Sequence, residues 1–454
     1  MHSGELGTIA RHAGTVLVGQ LAVMAFSITD TIVAGRYADH DIAALSIGFA
    51  IYISVYVSLL GVLQALLPVY AELHGARKHI ELGRTFRQSL YLAALIVVLG
   101  MVVMLWPGAL LRAAQVPDAL RLDIERYLAV LALALLPAVG FRMYSSLNQA
   151  LGKPQLVTLL QIVSLFVKVP LTVWFAFGGA GLAPMGLVGC AWATFCVNWL
   201  MLLAALAMLR TQSLYHPLQL WQRMEAPDAV QLKHFARMGV PGGLAYLVEI
   251  TSFTLMSLFI ARQGIISAAS HQIASNMAGT MYMVPMALGI ACSARVSYWI
   301  GAGDAVRARR VAALGLGMAI LLALLLAVSV AAFAPRIAAL YSANPAVIGL
   351  AASLLWWVAL YHFADAIQSI CAFLLRCYRV TLMPLVVYGI MLWGIGLYGG
   401  YLLAYQGIDL GLDSVAAMQS AQAFWIAGAL AIGIVALLFV AMLARYIYPA
   451  AQKP

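Results

Sequence analysis

Residues 14–35 read GTVLVGQLAVMAFSITDTIVAG, an apolar run of membrane-crossing length broken by one charge, Asp30. A helix rises 1.5 Å per residue, so about 20 apolar residues cross a hydrocarbon layer of roughly 30 Å. Two later runs are built the same way: Glu249 interrupts 239–261 (GVPGGLAYLVEITSFTLMSLFIA) and Asp365 interrupts 350–374 (LAASLLWWVALYHFADAIQSICAFL). A carboxylate facing lipid is costly, so acids at this depth turn toward a protein interior or a water-filled cavity and mark ion or substrate paths. The competing reading is a core acid neutralised by a proton or hydrogen bond, which suits one such residue better than three.

Outward from these segments, runs of spanning length fall at roughly 14–35, 45–70, 88–110, 127–148, 156–177, 186–209, 239–261, 272–297, 311–333, 350–374, 382–404 and 415–441. The chain of 454 residues is 64% hydrophobic and 9% charged, with mean hydropathy +0.96. A soluble domain is nearer one-quarter charged, so the expectation is an all-α integral membrane protein with twelve transmembrane helices. Period-2 alternation is absent, which excludes an outer-membrane barrel.

The formal charge of +10 does not point to nucleic acid, because the basic residues are spread between apolar runs and form no stripe. They report topology. With both termini inside, the inner side carries Arg11, Arg77, Lys78, Arg84, Arg87, Lys153, Arg210, Arg223, Lys233, Arg237, Arg295, Arg307, Arg309, Arg310, Arg376, Arg379, Arg445 and Lys453, and the outer side far fewer. This is the positive-inside pattern. The first run reads as a full-length helix and not a cleavable signal peptide. Five cysteines and nine histidines lack disulfide or metal spacing, so no cofactor and no enzyme chemistry is expected, and no P-loop suggests direct ATP use. His271 and His362 are either cavity-lining or packing residues.

An offset of 226 places Leu21 on Leu247, Ile47 on Ile273, Gly75-Ala76 on Gly301-Ala302 and Lys153 on Arg379. Six helices separate the copies, so the repeat is parallel, giving two six-helix bundles. The expected division is 1–209 and 239–454, joined by a cytoplasmic linker at 210–238. The acids break the repeat: Asp30 maps to Met256, Glu249 to Val23 and Asp365 to Val139. Packing devices would recur in both halves, so the asymmetry favours specialised sites.

Four stretches carry a family likeness: TDTIVAGRYADHDIAALSIG (29–48), ALGKPQ (150–155), EITSFTLMSLFIARQGIISAASHQIASNMAG (249–279) and YHFADAIQSICAFLLRCYRVT (361–381). In order, spacing and paired six-helix setting they resemble the multidrug and toxic compound extrusion (MATE) family, bacterial NorM-like branch. The resemblance implies a secondary transporter of the bacterial inner membrane that exports organic cations in exchange for Na⁺ or H⁺ by alternating access. It further implies a protein working as a monomer among membrane lipids. Residue carry-over assigns Asp30, in the cavity of the first lobe, and Glu249 with Asp365, in the second, to the coupling ion, the latter two as a possible Na⁺ site. A helix entering near Val240 puts Glu249 about 14 Å along its axis, which agrees. Converging carboxylates can coordinate Na⁺ or share a proton.

One departure concerns Lys168-Val169-Pro170-Leu171-Thr172, where NorM-like relatives carry N-x-P-L-N. Lys168 and Thr172 share a helix face. Lys168 either faces the cavity and pairs with Asp30, or snorkels to the interface. Cys377 stands where relatives usually have glycine. Further candidates are Gln272 and Asn276 on one face of the eighth segment, Tyr361 and Gln368 around Asp365, and the aromatics Phe49, Tyr52, Phe253 and Tyr282 as a substrate wall. The rival function is another secondary transporter, such as a lipid-linked oligosaccharide flippase, which calls for a more basic central cavity.

Overall fold

The computed structural model describes residues 2–113, 116–179, 181–409 and 414–447. Lys453 and the loop positions 410–413 lie outside them. Among the described residues twelve helices are long and apolar enough to span a membrane: α1 Gly4–Tyr37, α2 Ala43–Gly75, α3 His79–Leu105, α4 Asp118–Ala150, α5 Pro154–Phe177, α6 Gly186–Thr211, α7 Ala229–Ala261, α8 Ile265–Gly301, α9 Ala305–Tyr341, α10 Pro345–Cys377, α11 Leu382–Tyr405 and α12 Gln422–Ile447. The helices answer a simple demand: without water, backbone N–H and C=O groups must pair within the segment. Phe166, Leu437 and Leu325 are exposed large apolar residues on these helices, as lipid-facing positions are.

Helix ends differ from the hydropathy reading where local chemistry intervenes. The third segment stops at Leu105 because Trp106 precedes Pro107 and leaves helical geometry, with φ −121° and ψ 58°. The twelfth starts at Gln422, after an antiparallel pairing of Ile408–Asp409 with Ser414–Val415. Apolarity alone does not see such caps.

The repeat is visible in backbone hydrogen bonds. After α2, Arg77 adopts φ 58°, its amide donates to the His74 carbonyl (3.0 Å), and Lys78 donates to Leu73 (3.0 Å). After α8, Gly303 has φ 77°, with Gly303 to Ile300 at 3.1 Å and Asp304 to Trp299 at 3.0 Å. These are the same Schellman-type cap in the same register. The caps after α4 and α10 also match, but they pair Gly152 (φ 70°) with Arg379 (φ 65°). The register has slipped by one residue there, so Arg379 corresponds to Gly152 and not Lys153.

The chain forms two compact units, one of Gly14–Gly243 with Ile300–Gly303, the other of Met1–Ala13, Leu244–Trp299 and Asp304–Pro454. In the first, the 210–238 stretch is no free tether. It contains a short 3₁₀ turn, Ser213–Leu218, and is held on α3: Arg87 forks onto Glu225, with Nε to Oε2 at 2.9 Å, and donates to the Gln219 carbonyl at 2.7 Å. The Tyr91 hydroxyl donates to the Glu225 carbonyl at 2.8 Å, and Gln88 bonds both Ala226 and Asp228, each at 2.9 Å. Glycine permits the approach at Gly83, where a Cβ would collide with the Leu218 carbonyl. In the second unit, Glu5 takes a fork from Arg295, at 2.7 and 3.0 Å, and the Trp299 indole at 3.2 Å.

Candidate functional site

In the unit containing Gly14–Gly243, Asp30 of α1 is buried and its Oδ1 lies 2.7 Å from the Lys168 ammonium of α5. Lys168 has no exposed surface. Of the two positions open to its ammonium, cavity or interface, it takes the one on Asp30. Thr172, one turn further along α5 and equally buried, stands beside the same carboxylate. Tyr52 of α2 and Tyr127 of α4 are within electrostatic reach of Asp30, and Tyr52 stacks on Tyr56 with centroids 5.3 Å apart.

In the other unit, Glu249 of α7 lies within electrostatic reach of Asp365 of α10. Asp365 is buried and accepts a hydrogen bond from Gln368 Nε2 at 3.0 Å, one turn along its own helix. Tyr282 of α8, Tyr361 of α10 and Tyr388 of α11 each stand close enough to feel both charges. Among the described residues no lysine or arginine forms an ion pair with either acid. Two carboxylates near three phenols, with no ion-paired lysine or arginine among the described residues, have the chemistry to hold a small cation or share a proton. Among the described residues no three His, Cys, Asp or Glu side chains gather as a transition-metal centre.

An aromatic wall adjoins this pair. Phe253, Tyr361 and Trp425 meet edge to face at centroid distances of 6.0, 6.2 and 5.7 Å, and they line a small cavity with Ser252, Met256 and Gly428. His271 ties three helices behind it: the Trp425 indole donates to Nδ1 at 3.2 Å, and Nε2 meets the Ser257 and Ser275 hydroxyls at 2.8 and 3.3 Å. Gln272 and Asn276 are exposed and bond each other at 3.1 Å, and neither is hydrogen bonded to Glu249 or Asp365 among the described residues. His362 is buried, its Nε2 without a hydrogen-bond partner among the described residues. Cys377 is a buried packing group, its thiol close to Ser293 and the Phe373 carbonyl.

Sequence reading missed Tyr388, Trp425, Thr194 and Trp393, the last of which donates its indole N–H to the Val248 carbonyl at 3.1 Å. Each is an ordinary residue in an apolar run, and only the neighbour it meets gives it a role.

The MatE family profile matches residues 16–174 and 241–402, the two halves carrying the acids. The chain belongs to the MatE family. Within it, the chain falls in the bacterial NorM-like branch. It is 34% identical over 400 residues to the probable multidrug resistance protein NorM of Aromatoleum aromaticum, covering 88% of this chain and 86% of that one. It is 33% identical over 429 residues to the multidrug resistance protein PmpM of Pseudomonas aeruginosa, covering 91% and 90%. The fold is that of the Vibrio cholerae MATE transporter VcmN in its bent form, with TM-score 0.85 at 17% identity over 98% of this chain and 97% of that one. It equally matches the eukaryotic MATE transporter AtDTX14, with TM-score 0.85 at 17% identity over 97% and 95%. As a MatE protein the chain is a multi-pass membrane transporter and not an enzyme.

Proposed function

We propose that this protein is an antiporter that exports organic cations in exchange for inward protons or sodium ions, by alternating access. The observation that carries the reading is the Glu249–Asp365 pair, two acids in reach of one another with no ion-paired lysine or arginine among the described residues. Two like charges in a low-dielectric setting favour any bound cation that offsets them. A proton or Na⁺ arriving from outside and an organic cation arriving from inside then compete for the same negative charge, and that competition is the exchange. Gln368, Tyr361 and Tyr388 orient the acids and supply oxygen ligands, and the wall of Phe253, Tyr361 and Trp425 offers faces for an organic cation. Gln272 and Asn276 are assigned a supporting role in the cation path.

The lysine and arginine distribution supports an inner-membrane protein with both termini in the cytoplasm. The names of the NorM and PmpM relatives support a drug-like substrate range. Efflux from proteoliposomes, with a pH gradient and a sodium gradient imposed separately, tests the proposal. Export of an organic cation driven by one of them is expected; folded protein that responds to neither gradient sinks the antiport reading.

A further inference from the structure

The Lys168 ammonium pairs with Asp30 Oδ1 at 2.7 Å and donates hydrogen bonds to Thr194 Oγ1 at 2.6 Å and to the Cys190 carbonyl at 3.2 Å. Thr194 sends its own hydroxyl proton to the Cys190 carbonyl at 3.0 Å, which leaves its oxygen free to accept from the lysine. The ammonium is therefore held by an acid on α1 and by two acceptors on α6. Lys168 and Thr172 have no exposed surface and Asp30 is 9% exposed.

Among the described residues neither member of the pair makes a second ion pair. Tyr52 from α2, Tyr127 from α4 and Cys190 from α6 are neutral side chains near neutral pH. The nearby Asp41 is engaged by the Leu187 amide at 2.6 Å, and Arg142 stands beside Tyr56.

We propose that Lys168 is a resident cation that occupies Asp30 in place of an incoming ion, so that Asp30 positions helices α1, α5 and α6 and ion coupling is confined to Glu249 and Asp365. A free cation reaching Asp30 must displace an ammonium tethered to the adjacent helix. A tether of this kind acts as a high local concentration that a dilute ion does not overcome. The coupling half of the proposal rests on the antiport reading, and the pairing half does not.

Buried pairs have a distinctive signature: removing one partner strands the other, whereas replacing both by neutral groups of similar size is close to neutral. The test uses full-length protein with Asp30→Asn, Lys168→Met and both together. Thermal unfolding in detergent is expected to show each single variant destabilised and the double variant recovered, a strong non-additivity. In proteoliposomes, efflux is expected to fall about tenfold or more in the single variants and to return to within about threefold of wild type in the double, as removal of a self-contained pair requires.

The pH profile separates positioning from coupling. The double variant is expected to superimpose on wild type, while Lys168→Met alone, which frees a titrating carboxyl, changes the slope. A folded double variant whose efflux is as low as that of Asp30→Asn overturns the proposal, because Asp30 is then needed as an acid. A double variant that does not fold also overturns it, since a replaceable pair predicts recovery. Wild-type protein without gradient-driven efflux defeats the antiport reading instead, and the unfolding cycle still decides the pairing.

Discussion

Trp393 holds the carbonyl immediately before Glu249: its indole N–H donates to Val248 O at 3.1 Å, from the π-helical stretch Met391–Gly399 of α11. Such i→i+5 segments are rare and recur at functional sites. Tyr388, on the preceding α-helical part of α11, faces Glu249 itself. Trp393 thus ties α11 to α7 next to the acid, and Tyr388 stands near the acid from the same helix. Trp393→Phe keeps the ring and deletes the donor, a loss of about 1 kcal/mol in the position of α7. Gradient-driven efflux is expected to fall roughly fivefold in this variant, the factor that energy represents, with unfolding temperature little changed. Wild-type efflux would reduce the indole to packing.

Glu249→Gln and Asp365→Asn keep shape and hydrogen bonding while removing titration. Each is expected to lower gradient-driven efflux by about tenfold or more, because an acid in an ion relay has no neutral substitute. Stability moves the other way. Neutralising one member removes like-charge repulsion, so the unfolding temperature holds or rises. Efflux that survives in both purified variants removes the coupling assignment. Loss in Asp365→Asn alone narrows the ion site to a single carboxyl and favours a proton over Na⁺.

What could be read beforehand follows from which signals are local. Asp30, Glu249 and Asp365 stood out because a charge inside an apolar run is expensive wherever the run folds. Lys168 stood out for the same reason, but its Cys190 acceptor is a main-chain carbonyl and leaves no mark on the sequence. The twelve spans were legible from apolarity, whereas their ends depend on single residues such as Pro107. The 226-residue offset held at Arg77 and Gly303 and slipped by one at Gly152 and Arg379, a shift too small for weak similarity to detect. The basic stretch after α6 was legible as a connection. Its clamp on α3 was not, because Tyr91, Gln88 and Glu225 become partners only in three dimensions.

His271 joins α7, α8 and α12 through Ser257, Ser275 and Trp425. Its ring is buried, so deletion strands the Trp425 N–H away from water. His271→Ala is expected to destabilise the protein by about 2–4 kcal/mol, combining a buried unsatisfied donor with lost packing. His271→Gln, which retains an acceptor, should recover part of it. Thermal unfolding of the two variants in detergent checks the order. Equal losses would mean that packing alone accounts for the effect.

The Arg87–Glu225 fork yields a prediction with a sign. Arg87 is 3% exposed and the Glu225 side chain 31%, so the two deletions are unequal. Glu225→Gln leaves a buried guanidinium short of its counter-charge; Arg87→Met leaves a carboxylate that turns to water. The former should cost more, about 2 kcal/mol, the scale of hydrogen bonds to a charged group. Hydrogen bonds from Arg87 lead the causes that hold the Glu225 carboxyl down at about 2 against an ordinary 4.5, with burial opposing them. A depressed carboxyl contributes its full stabilisation above its unfolded value and loses it as pH falls through its folded one. The difference in unfolding temperature between wild type and Glu225→Gln is therefore expected to be constant above about pH 5 and to shrink as pH falls from about 4.5 toward 2. Unfolding curves for both proteins from pH 6 to as low as detergent micelles permit decide it, and a gap that widens on acidification would show that the pair is not ionised in the folded state.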